Sequence, residues 1–107
     1  MPTFTLLSTA IIGNPPGTTT VVPPASRATL TFSITGPPSN YAQATVNASS
    51  DGGGTLNPIM SLQIEPGGPN TISQQVQFGT PPPTVFDASF DLATPGQGIT
   101  GMVTLTV

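Results

Sequence analysis

The sequence predicts an all-β domain made of two antiparallel sheets packed face to face. Period-two alternation of apolar and polar residues dominates the chain, and helical periodicity is absent. Turn signals built from Pro, Gly, Asn and Asp recur roughly every 8 to 14 residues, close to the spacing of a sandwich or barrel. Hydrophobic residues are 36% of the chain, enough to cover one face of each strand but not both. Half-apolar strands bury that face by stacking two sheets.

The elements follow in order. Thr3 to Ile12 carries Phe4, Leu6, Leu7, Ile11 and Ile12, an irregular pattern that suits a first edge strand bending near Ser8. Thr18 to Val22 is a short edge-pairing stretch. Arg27 to Thr35 is the cleanest strand: Ala28, Leu30, Phe32 and Ile34 point one way, and Thr29, Thr31, Ser33 and Thr35 the other. Tyr41 to Ala48 alternates Ala42, Ala44, Val46 and Ala48 with polar residues. Ile59 to Glu65 offers Met60, Leu62 and Ile64. Thr71 to Phe78 offers Ile72, Val76 and Phe78 against Ser73, Gln75 and Gln77. In Thr84 to Leu92, Phe86, Ala88, Phe90 and Leu92 face in, and Val85, Asp87, Ser89 and Asp91 face out. The closing strand sets Ile99, Gly101, Val103, Leu105 and Val107 against Thr100, Met102, Thr104 and Thr106. Residues 1–107 thus read as a single sandwich domain of about seven strands.

Between the strands lie Gly13-Asn14-Pro15-Pro16-Gly17, Pro23-Pro24, Gly36-Pro37-Pro38, Asp51-Gly52-Gly53-Gly54, Pro66-Gly67-Gly68-Pro69, Pro81-Pro82-Pro83 and Pro95-Gly96, all turn chemistry. Proline has a second use here. It donates no ladder hydrogen bond, so it blunts strand ends against stray pairing. Lysine, the usual guard of an edge, is absent.

Residues 22–35, from Val22-Pro23-Pro24 through the Arg27 to Thr35 strand, and the Gly98 to Val107 closing strand resemble the immunoglobulin-like and fibronectin type III-like sandwiches. Bacterial and phage members of that group show such Pro-, Gly- and Thr-rich strands without cysteine. The resemblance implies an immunoglobulin-like fold over the whole chain, although the Cys and Trp marks of antibody domains are missing. Strand count and turns fit a jelly-roll connection order equally well.

Charge bounds the function. Arg27, Asp51, Glu65, Asp87 and Asp91 are the charged residues, 5% of the chain, where about a quarter is ordinary. There is no histidine and no cysteine, which removes disulfides, thiolates and the Ser–His and Cys–His nucleophile systems. Counterion release on nucleic acid needs several cations, and one arginine excludes that partner class. No apolar run is long enough for a membrane helix, and the first twelve residues lack the basic region of a secretory signal.

The remaining candidates have plain readings. Asp87 and Asp91, four apart on one strand, stand about 13 Å from each other, beyond the roughly 5–9.5 Å of a glycosidase pair. They read as a solvated outer face. The glycine run after Asp51 reads as a hairpin turn, since a phosphate cradle needs a strand-to-helix context. Asn47-Ala48-Ser49 fits the glycosylation sequon. Arg27 is expected to pair with Asp87, Asp91 or Glu65. No catalytic, cofactor or metal site is expected.

The expected function is a non-enzymatic structural or interaction protein packed in a larger assembly. The resemblance directs this to a phage virion, as a capsid-decorating or fibre-associated protein made in the host cytoplasm. Its partners would be a capsid or scaffold and copies of itself, as a homo-oligomer. The alternative is a carbohydrate-binding or adhesive module of a cell-surface or secreted protein, gripping glycans with the loops Gly36 to Tyr41 and Pro66 to Asn70. The absence of tryptophan weakens it, because sugar rings stack on exposed aromatics.

Overall fold

The computed structural model describes residues 3–10, 19–35, 41–52, 54–92 and 100–107, with backbone only at 9, 10, 91 and 92. These form eight strands: β1 (Thr3–Ala10), β2 (Thr20–Val21), β3 (Arg27–Ile34), β4 (Ala42–Ser49), β5 (Asn57–Ile64), β6 (Thr71–Gln77), β7 (Val85–Leu92) and β8 (Thr100–Thr106). Every pairing is antiparallel. Sheet I has the order β1-β8-β3-β6, and sheet II the order β2-β7-β4-β5. The two-sheet antiparallel sandwich is the architecture expected from the alternation. The eighth strand, β2, lies in the Thr18 to Val22 stretch expected to pair at an edge, and it pairs with β7 at the edge of sheet II.

The pairing also decides between the two connection orders. An immunoglobulin sandwich keeps its first two strands in one sheet and its last two in the other. Here β1 and β2 lie in different sheets, as do β7 and β8, and β8 inserts between β1 and β3. Among the described strands only β4 and β5 are consecutive neighbours in one sheet; every other pair of consecutive strands is divided between the sheets. That is the eight-strand jelly-roll order.

Alternation becomes burial in the central strands. Ala28, Leu30, Phe32 and Ile34 of β3 are buried, as are Ala42, Ala44, Val46 and Ala48 of β4, and Val103 and Leu105 of β8. The Phe32 and Phe90 rings stack across the two sheets with centroids 5.5 Å apart. Small alanines along β4 leave volume for Phe32, Phe86 and Phe90, which fits close-packed interiors.

Three local readings change. The irregularity in β1 falls at Leu6, between Thr5 and Leu7, rather than at Ser8. Alternation from Phe4 already turns Leu6 inward, at 1% exposure, and the bulge brings Leu7 to the same side opposite Val103, so both pack on the core. Strand β5 begins at Asn57, and its register slips between Val46 and Asn47 of the partner, so both Ile59 and Met60 pack on the core. Pro58 inside β5 is tolerated because β5 is an edge. Val85, expected outward, is buried, because Val21 and Ser49 flank it from the strands on either side. Ile11, Ile12 and Ile99 lie outside the described residues.

Charge divides between the sheets. Asp87 and Asp91 lie on β7, Glu65 follows β5 and Asp51 sits in the β4–β5 turn, all belonging to sheet II. The outer face of sheet I carries Thr3, Thr5 and Ser8, then Thr100, Met102, Thr104 and Thr106, then Thr29, Thr31 and Ser33, then Thr71, Ser73 and Gln75. Arg27 stands at one corner. Hydroxyls bond across this face, Thr3 to Thr106 at 3.0 Å and Thr31 to Ser73 at 2.9 Å.

Candidate functional site

At one end of the sandwich three connections meet. Val22 N–H donates to the Thr84 carbonyl (2.8 Å), Phe78 N–H to the Ser26 carbonyl (2.8 Å) and Thr84 N–H to the Ser49 carbonyl (3.1 Å). These bonds pin the β2–β3, β6–β7 and β4–β5 connections together. Between them opens a groove of about 460 Å³. Ile59, Val76, Phe78 and Pro81 supply its apolar wall, and Asp51, Thr55, Asn57 and Gln77 its polar groups.

Local sequence explains each part. The bulge in β5 places Ile59 at the groove. Phe78 follows the last residue of β6, and its ring tilts against Phe86 at 5.7 Å, so it is anchored while half-buried. Gly52 takes a φ of +81° in the β4–β5 turn, a conformation in which a side chain is strained. That turn lets Asp51 fold back. Its carboxylate accepts from the Ser49 hydroxyl and, at 3.0 Å, from the Thr55 N–H. The Ser49 hydroxyl, then the Thr55 N–H, hold the Asp51 carboxyl below its ordinary value of 3.8. At neutral pH the groove presents one fixed carboxylate, two amides and an aromatic face. This set suits hydrogen bonding to a neutral polar ligand; among the described residues Asp51 has no second ionisable group beside it in the groove.

The expected site residues disperse. Arg27 opens β3 of sheet I, beside Gln77 and Phe78. Asp87 and Asp91 lie on β7, and Glu65 follows β5, both in sheet II. The pairing of Arg27 with Asp87 is therefore corrected: their outward side chains leave opposite sides of the sandwich. Asp87 instead accepts a 2.7 Å bond from the Asn47 side-chain amide, its register partner on β4. This occupies the acceptor residue of the sequon. Asn47 itself is half-buried, and Ser49, the third residue of the sequon, is 2% exposed on a central strand. Of the proposed glycan loops, 36–40 lies outside the described residues. Pro66 to Asn70 joins β5 to β6, away from the groove. Among the described residues no three metal-ligating side chains cluster.

The sequence reading missed Asn57, Ile59, Gln77 and Phe78 as neighbours. They come from both sheets, and only the jelly-roll crossing brings them together. The chain matches no family model, no curated protein and no solved structure.

Proposed function

We propose that this domain is a non-enzymatic structural module that packs, through sheet I, into a larger ordered protein assembly, with a virion surface as the first such assembly to examine. The observation that carries this reading is the division of charge. Among the described residues, the outer face of sheet I has hydroxyls, amides and Met102 but no carboxylate. Interface centres are depleted of charge. Hydroxyls and amides can exchange water for partner hydrogen bonds without burying an ion. The acidic sheet II would then face solvent. Light scattering on the native source and on the purified chain tests this. A large regular particle containing the chain supports it; a chain that never joins a particle overturns it. Thr104→Asp, at the middle of the face, should block uptake into such a particle.

A second reading rests on the groove. Phe78, Asn57, Gln77 and Asp51 form a small polar-aromatic site of the kind that holds a neutral saccharide. A glycan array with binding that Asn57→Ala abolishes would favour it. An empty array would remove it.

A further inference from the structure

The four sheet edges are not alike. Strand β1 is bulged at Leu6, β2 has two residues and is followed by Pro23-Pro24, and β5 contains Pro58 and runs into Glu65 and Pro66. Each is a recognised guard against edge pairing. Strand β6 (Thr71–Gln77, sequence TISQQVQ) has no proline, glycine, charge or bulge. It pairs with β3 on one side and, among the described residues, with nothing on the other. Thr71, Ser73, Gln74, Gln75 and Gln77 are all exposed.

The open hydrogen-bonding groups can be assigned. Ile34 N–H donates to the Asn70 carbonyl, and Phe78 N–H to the Ser26 carbonyl. Even-numbered residues of β6 therefore face β3, and the register between the strands is unbroken. Antiparallel strands alternate the direction of their backbone groups. The N–H and C=O of Thr71, Ser73, Gln75 and Gln77 thus point off the free edge.

We propose that β6 pairs with β6 of a second copy of this chain, antiparallel about a two-fold axis at Gln74. In this register Ser73 lies opposite Gln75 of the other copy, and Thr71 opposite Gln77. All four residues are those with outward backbone groups, so every open N–H and C=O finds a partner. On the inner face Ile72 meets Val76 of the other copy, extending the core row that both already join. On the outer face only hydroxyls and amides meet, with no like-charge contact. The same patch is used on both copies, as a closed two-fold interface requires. Sheet I then runs continuously through both copies. The inference deepens the proposed function by naming the contact strand and its occupant.

The test uses the purified chain, which has no cysteine of its own. In a two-fold pair, Gln74 faces Gln74 at a non-hydrogen-bonded position, where Cα atoms stand about 4.5 Å apart, within disulfide reach. Gln74→Cys should form a covalent dimer under mild oxidation, at least tenfold faster than Thr5→Cys on the far edge of the sheet. Sedimentation velocity of the wild type should move from 10.8 kDa toward twice that mass on concentration. Gln75→Pro removes an outward N–H and leaves the β3 ladder intact. Gln75→Lys adds a charge to the edge without touching the backbone. Both should stay monomeric at the wild-type melting temperature. A wild type that remains monomeric into the millimolar range, with Gln74→Cys crosslinking no faster than Thr5→Cys, overturns the proposal. So does a native particle that takes up Gln75→Pro as readily as wild type, which leaves the proposed function standing. A chain that pairs through β6 but joins no particle supports the edge and overturns the proposed function.

Discussion

Strands β5 and β6 make an instructive pair. Both are edge strands, on opposite sheets, and both present mostly exposed side chains along one face. In β5, proline replaces a donor at residue 58 and Glu65 ends the run. In β6 there is a repeat of uncharged amides with every backbone group intact. A chain with one cation and no lysine cannot guard edges in the usual way, and it guards three of four with proline, shortness or a bulge. The difference teaches that edge guards are distributed unevenly here: the proline, shortness and bulge used on three edges are absent from β6.

The broadest way to break the comparison is to remove what both edges share. Phe32 lies on β3, which carries β6, and Phe90 on β7 beside β4, which carries β5. Their rings stack, and each is at most 1% exposed. Phe32→Ala and Phe90→Ala should each lower stability by about 3–5 kcal/mol in chemical denaturation. Hydrogen exchange should then speed up in β5 and β6 alike. Loss confined to one edge would mean that the sheets do not unfold as one unit.

A middle-sized effect sharpens the comparison. Gln74 interrupts the inward row between Ile72 and Val76 and remains exposed. Gln74→Val should tighten self-association a few-fold, since a favourable cross-strand pair is worth roughly 0.2–1 kcal/mol. Sedimentation measures it, and unchanged association would place the contact elsewhere.

How much of this was legible in the sequence follows from what alternation encodes. A strand such as β3, buried on one face and wet on the other, declares its facing by residue type alone, and Ala28, Leu30, Phe32 and Ile34 are buried as read. The jelly-roll order was not legible, because partners such as Thr5 and Thr104 are distant in sequence and many Thr and Val residues would pair as well. The bulge at Leu6 and the slip before Asn47 depend on register against a partner strand. The groove was hidden for the same reason: Asn57 and Phe78 belong to different sheets. The Arg27–Asp87 pairing was misread because sequence does not say on which side of the sandwich a charge leaves.

The smallest expected effect concerns the turn that leads into β5. The Asp51 carboxyl is held below its ordinary value by Ser49 and Thr55. Such a group adds stability that is present above its unfolded value and lost as pH falls through its folded one. Melting temperature should therefore drop on acidification below about pH 4, and Asp51→Asn should flatten that slope. An identical acid slope in the variant would show that the turn bonds add nothing in solution.

The cross-strand bond between Thr3 and Thr106 has a mechanical meaning. Strands β1 and β8 are antiparallel neighbours, so a pull applied at these two residues loads their ladder one rung at a time, like opening a zipper. Shearing a parallel pair would load all rungs together. A domain with this geometry yields readily when stretched between its two strand ends.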